Sequence, residues 1–276
     1  MGDAFGETFV THRAAIAARA TPAPTPWRWT DDTAMALAIV GELAARADID
    51  PDALAADFAR RYLAEPWRGY GGTAQGILTA IGDGVPWRTA AAAPFAGQGS
   101  KGNGAAMRVP PLGAYFAHDL DRAIAAARRS AQPTHRHRDA EAGAIAVTVA
   151  AVIAARIGAG ELARDGLSLI AAAYALTPTS LTRDGLDRAL RTPLSTPVAA
   201  AAAKLGNGSR VLCEDTVPLC LWLAARHLDD YAEALWQTVS ADGDLDTNAA
   251  IVGALVAAAG AAIPPAWLAA REALPA

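Results

Sequence analysis

The sequence predicts an all-α fold, and three observations carry that prediction. No stretch alternates apolar and polar residues with period two over more than a few positions, so no half-buried strand is expected. Apolar residues recur instead at helical spacing, between turns that contain Pro, Gly or Ser. Hydrophobic residues make up 53% of the 276 positions, yet aromatics only 6%, and the abundant alanine lets helices approach closely. There is no fixed-period repeat and no linker long enough to separate domains. Residues 1–276 are therefore expected to form one multi-helix domain.

Taken in order, Ala14–Ala20 reads as helical and the proline-rich Thr21–Pro26 as a loop. Thr30 is a good N-cap for a helix through about Ala47, with Met35, Leu37, Ile39, Val40 and Leu43 as its apolar positions. Pro51 opens a helix to Leu63. Arg68–Thr73 is a glycine loop before a helix at Ala74–Ile81, and Pro94–Gly104 is a second glycine-rich segment. Ala105–Phe116 resumes helical sequence, broken or kinked at Pro110-Pro111. Further helices are expected at Leu120–Ala131, Asp139–Ile157, Leu162–Leu176, Leu181–Leu190, Val198–Leu205, Val211–His227 and Tyr231–Val239. One more leads from the Asp244 region to about Ala261, and Pro264-Pro265 starts the last.

Several function classes are disfavoured. The formal charge is −4 with no basic stripe, which argues against direct binding to a nucleic-acid backbone. The N-terminus has no basic-then-apolar secretory pattern. The longest apolar runs, near Gly143–Ala155 and Ala249–Pro264, are shorter than the ~18 residues of a membrane span, so no membrane partner is expected. Cys213 and Cys220, seven apart, are expected as buried thiols on one helical face, as in a reducing, cytoplasmic setting.

Two acidic stretches carry the chemistry. In Asp242-Gly-Asp-Leu-Asp-Thr-Asn248, one aspartate would satisfy the helix start, but Asp244, Asp246 and Thr247 offer more oxygens than a cap uses. Thr30-Asp31-Asp32-Thr33 has the same character. Oxygen ligands of this kind suit hard divalent cations. His135 and His137 lack a third nitrogen or sulfur ligand, which discounts zinc. Gly99-Ser-Lys-Gly-Asn-Gly104 is not a Walker loop, although the backbone N–H groups of such loops cradle phosphates.

Gly2-Asp-Ala-Phe-Gly6, Thr30–Thr33, Arg68-Gly-Tyr-Gly71, Gly99–Val109 with Pro111-Leu-Gly113, Thr134-His135 and Gly243–Gly253 occur in order along nearly the whole chain. Together they resemble the ADP-ribosylglycohydrolase family. That resemblance implies an all-α domain with a central dinuclear site, two Mg²⁺ or Mn²⁺ ions held by Thr30, Asp31, Asp32, Asp244, Asp246 and Thr247. It implies hydrolysis of the glycosidic bond between ADP-ribose and a protein or small-molecule acceptor, with Asp32 or Asp246 activating the water and Glu7 as a further catalytic candidate. It places Asp3, Gly69, Tyr70, Gly71, Gly99, Ser100, Gly102, Asn103, Met107 and His135 at the substrate. The alternative within the same fold is a non-catalytic ADP-ribose-binding or crystallin-like structural protein. Acceptor specificity is expected in loops near Thr21–Trp29 and Pro178–Asn207. Trp27, Trp29 and Tyr70 are either stacking residues or core aromatics.

Overall fold

The structure, a computed structural model, describes residues 1–21 and 26–275. Residues 22–25, most of the expected Thr21–Pro26 loop and part of the Thr21–Trp29 specificity segment, lie outside the described residues. Among the described residues the chain is helical, with only two isolated bridges, Trp27 to Arg271 and Gly102 to Leu212. The helices are α1 (Gly2–Thr8), α2 (Ala14–Ala17), α3 (Asp31–Arg46), α4 (Pro51–Ala64), α5 (Gly72–Gly82) and α6 (Trp87–Ala92). They continue with α7 (Gly104–Met107), α8 (Pro110–Tyr115), α9 (Leu120–Ala131), α10 (Arg138–Gly158), α11 (Leu167–Leu176) and α12 (Leu181–Leu190). The last are α13 (Val198–Leu205), α14 (Cys213–Arg226), α15 (Tyr231–Ser240), α16 (Leu245–Ala258) and α17 (Pro265–Ala270).

The core is built around α10, which packs against α7, α8, α9, α11, α12, α14 and α16. Its start is fixed by His137, whose Nδ1 accepts from Asp139 N at 3.1 Å, with Asp139 and Glu141 in the first turn, where the helix dipole favours negative charge. By length and composition α10 could cross a bilayer, contrary to the expectation that no apolar run is long enough. Yet 78% of its most apolar window is buried against other helices, so it is a core helix here. Cys213 and Cys220 are buried free thiols on α14, as expected.

α1 is not expected from local sequence alone. Glycine disfavours a helix interior, but here Gly2 and Gly6 are what let α1 lie on α16. A Cβ at Gly2 would stand 2.0 Å from the Ala249 carbonyl oxygen, and one at Gly6 would stand 2.2 Å from that of Leu245. Four residues apart, the two glycines make one bare stripe, and backbone packs on backbone. α6 was also unforeseen; it follows Pro86 and buries Trp87, Ala90 and Ala91. Ala105–Phe116 divides into α7 and α8, because Pro110 ends one helix and suits the first turn of the next. The first helix after α1 spans only Ala14–Ala17, and α11 starts at Leu167 rather than Leu162. Trp27 and Trp29 are core residues, 4% and 5% exposed, which settles their reading against stacking on a ligand.

Candidate active site

The site begins at the N-terminus of α3. Thr30 is the N-cap, but most of the capping is done by Asp3 from α1. Its carboxylate accepts from Thr30 N at 2.9 Å, from Thr33 N at 3.1 Å and from the Thr33 hydroxyl at 2.5 Å. The two backbone N–H groups are among the orphan donors that every helix start must satisfy. The Thr30 hydroxyl lies 2.9 Å from Asp3 and 3.0 Å from Asp32. Asp31 N donates to the Arg68 carbonyl at 2.6 Å, which ties the Gly69–Gly72 loop to the same helix start. Arg68 holds that loop down: its guanidinium pairs with Glu65 and Glu272 and lies 3.4 Å above the Trp29 ring.

The N-terminus of α16 arrives opposite. A turn with left-handed backbone at Asp242 (φ 59°) and Gly243 (φ 83°) leads into it. At Gly243 a Cβ would stand 2.0 Å from the Asn207 carbonyl oxygen, so only glycine fits. That same carbonyl accepts from Asp244 N at 3.2 Å and from Asn248 Nδ2 at 2.7 Å. Asp244 sits at the N-cap position but makes no side-chain cap bond. Its carboxylate accepts instead from Asn103 Nδ2 at 2.6 Å, leaving it turned toward the other acids. Asp242 is exposed and pairs with Arg13, outside the cluster.

The two helix starts, with Asp3 of α1, bring five aspartates together. Carboxylate oxygens of Asp3, Asp32 and Asp246 lie within 4.8 Å of one another. The Thr247 hydroxyl is 3.5 Å from Asp32 Oδ2, while Asp32 Oδ1 is buried with no hydrogen-bond partner. Burial first, and then Asp246, raise the proton affinity of Asp31 and Asp32 well above the usual carboxylate range. Burial also raises Asp3, and burial with Asp246 pushes Asp244 to about 8. Like charges this close do not all ionise without a counter-charge. An all-oxygen donor set, an orphaned carboxylate oxygen and an uncompensated negative cluster together fit one or more hard divalent cations.

A cavity of about 800 Å³ opens above this cluster, with Asp31, Asp244, Asp246 and Thr247 on its floor. Its walls include Gly69, Gly71, Gly99, Ser100, Gly102, Asn103, Met107 and His135, all placed at the substrate by the sequence reading. Other expected residues are elsewhere. Asp3 does not line the cavity; it lies beneath, in the acid cluster and at the α3 start. Thr30 and Asp32 are also outside its lining, and Asp3 and Asp32 line a separate cavity of about 230 Å³. Tyr70 is buried at 3% exposure and packs edge-on to Tyr62, outside the lining. Glu7, one turn after Asp3 on α1, is also outside it. Burial and the charges of Asp246 and Asp3 push its carboxyl to about 7.

Cavity walls not foreseen include Phe95, Gln98, His137, Arg138, Arg210 and Val211, while Lys101 lies in the expected Gly99–Gly104 loop and Leu181 in the expected Pro178–Asn207 specificity segment. Asn207, expected only at the end of a specificity loop, braces the α16 turn. No local motif marks the unforeseen positions; His137 and Arg138 reach the site from the start of α10, and the others from loops. His135 is buried beside Gly102 and Gly104, and burial together with the Arg108 cation lowers its pKa to about 3.

The sequence profile of the family described as ADP-ribosylglycohydrolase matches residues 1–274. An uncharacterized protein of Archaeoglobus fulgidus is 31% identical over 245 residues, covering 87% of this chain and 74% of its own. ADP-ribosylhydrolase ARH3 of Bos taurus is 30% identical over 261 residues, covering 83% of this chain and 70% of its own. Among solved structures, a chain described as an ADP-ribosylglycohydrolase-related protein complex has a TM-score of 0.66 at 26% identity, over 88% of this chain and 76% of that one.

Proposed function

The chain belongs to the ADP-ribosylglycohydrolase family, and we propose that it hydrolyses the glycosidic bond joining ADP-ribose to an acceptor, in a divalent-cation-dependent reaction. The observation that carries this reading is the carboxylate cluster of Asp3, Asp32 and Asp246, which opens through Asp246 onto a cavity whose wall is the Gly99–Gly104 loop. Thr30, Asp31, Asp32, Asp244, Asp246 and Thr247 are the proposed ligands of two Mg²⁺ or Mn²⁺ ions. Cations bound there would supply Lewis acidity and would make nearby water more acidic.

The chain's own residues do the rest. Asn103 orients the Asp244 carboxylate, and Asp3 fixes the α3 start that presents Asp31 and Asp32. Of the two carboxylates proposed to activate water, Asp246 faces the cavity and Asp32 is buried below it, which favours Asp246 as the base. Water replaces the acceptor at the ribose anomeric carbon: one C–O bond forms, the glycosidic bond breaks, and ADP-ribose and the protonated acceptor leave. The backbone N–H groups of the Gly99–Gly104 loop suit the diphosphate. Glu7 lies outside the cavity lining and takes no step in this scheme.

The test is to incubate the protein with arginine- and serine-linked ADP-ribosylated substrates and follow free ADP-ribose by chromatography, with Mg²⁺, with Mn²⁺ and with EDTA. Release that needs the cation is expected. Release unaffected by EDTA overturns the mechanism, and ADP-ribose binding without turnover on any linkage favours the non-catalytic alternative.

A further inference from the structure

Behind the Gly99–Gly104 loop a buried cation, a hydroxyl and an imidazole stand in line. Arg108 is fully buried, 4.4 Å from the Phe58 ring centre. Its Nη2 donates to the Ser130 carbonyl at 2.6 Å and to the Thr134 hydroxyl oxygen at 2.9 Å. That same oxygen lies 2.7 Å from His135 Nδ1. Thr134 is 0% exposed, so its single hydroxyl hydrogen must find an acceptor inside the protein. Among the described residues, His135 Nδ1 is the acceptor within reach. A proton on Nδ1 would point two donors at one oxygen and strand the hydroxyl hydrogen in a dry place, which is costly.

We infer that Arg108, acting through Thr134, fixes His135 as the neutral tautomer protonated on Nε2, which aims an N–H donor into the cavity for a phosphate oxygen of a nucleoside-diphosphate substrate. The choice of ligand rests on the ADP-ribosyl reading above; the tautomer does not. Nε2 faces the Gly102–Gly104 turn, where a Cβ at Gly104 would lie 3.2 Å from it, and it makes no hydrogen bond among the described residues. The low proton affinity of the ring keeps Nδ1 free to accept at any physiological pH. A neutral donor in a largely dry wall binds an anionic oxygen without needing a charge of its own. Arg108 and Thr134 are positioning residues; neither lines the cavity.

The experiment reads the ring directly, on the full-length protein without ligand. Long-range ¹H–¹⁵N spectra of histidine-labelled protein, with His135 assigned by its loss in His135→Gln, report the protonated nitrogen. The expected result is a neutral ring with Nε2–H, unchanged across about pH 5–9. Thr134→Ser keeps it. Thr134→Val and Arg108→Met mix the two tautomers, and Thr134→Val weakens ADP-ribose binding about tenfold by calorimetry. A wild-type ring protonated on Nδ1, or an imidazolium, overturns the inference, as does Thr134→Val with an unchanged ring. Wild-type protein that shows the tautomer but does not bind ADP-ribose overturns the ligand and the functional reading, and leaves the Arg108–Thr134–His135 relay standing.

Discussion

Asn103 donates a 2.6 Å hydrogen bond to Asp244 across a sequence separation of 141 residues. This contact joins the glycine loop in the cavity wall to the acid cluster in its floor. The same amide reaches Thr216 at 3.0 Å, so its orientation is locked from two sides. Asn103→Ala leaves the Asp244 carboxylate without its orienting donor. The expected outcome is a loss of about 10–100-fold in divalent-cation affinity or in ADP-ribose release, the usual effect of removing a partner behind a metal ligand. Isothermal titration with Mn²⁺, beside the release assay, checks it.

Stability should depend on pH in the direction opposite to that of most salt-bridged proteins. Burial raises Asp3, Asp31, Asp32 and Asp244 above their ordinary value of 3.8, Asp244 to about 8. A raised carboxyl favours the folded state fully below the unfolded pKa, and that contribution is lost as pH rises through the folded one. The metal-free protein should therefore melt lower at about pH 8 than at about pH 5. Mg²⁺ at roughly 100 times its Kd adds about 2.7 kcal/mol, and the gain in Tm should be larger at the higher pH because cations compete with protons for the same oxygens. Calorimetric melts with EDTA and with Mg²⁺ at both pH values read this. A metal-free Tm that rises with pH would contradict it.

Gly6→Ala places a methyl 2.2 Å from the Leu245 carbonyl oxygen and 2.8 Å from the Asp246 Cα. Backbone is on the other side, so α1 must lift. The expected cost is about 2–3 kcal/mol, at the upper end of overpacking effects, with weaker cation binding because Asp3 and Asp246 move apart. Gly41→Ala is the control. Nothing lies within 4 Å of its added methyl, and helix propensity alone predicts about 0.5–1 kcal/mol of stabilisation. Urea denaturation of both variants separates the two effects.

Arg68→Ala removes the guanidinium that pairs with Glu65 and Glu272 and covers Trp29. Its partners keep some contact with water, so the expected loss is about 2–3 kcal/mol, below that of a fully buried pair. The Gly69–Gly71 wall and the Arg68 carbonyl that receives Asp31 N should shift with it. ADP-ribose affinity should fall more than for Arg60→Ala, whose side chain is exposed.

What was legible in the sequence was what local chemistry writes. Thr30 and Pro51 mark helix starts because capping and proline geometry act within a few residues. The acid-rich turns at Asp31 and Asp244 stood out because they exceed the needs of a cap. What was not legible depends on contact at a distance. Gly2-Asp3-Ala4-Phe5-Gly6 reads locally as a poor helix, and only α16 underneath shows why the glycines are there. Asp3 looked like a substrate residue, and its partners at Thr30 and Thr33 are 27 and 30 positions away. Tyr70 lies between two cavity-lining glycines, yet its ring turns into the core beside Tyr62. Arg138 and Arg210 reach the cavity from a helix start and a loop that carry no motif.

The acid cluster draws one aspartate each from the first, third and sixteenth helices. During synthesis the early half of the site leaves the ribosome well before the late half. A nascent chain that stops short of Asp244 carries Asp3, Asp31 and Asp32 alone, with α1 exposing a bare glycine stripe and no helix to rest on. Closure of the N-terminal helix, and with it assembly of the proposed cation site, therefore waits until α16 has been made, and a fragment that stops before Asp244 lacks both Asp244 and Asp246.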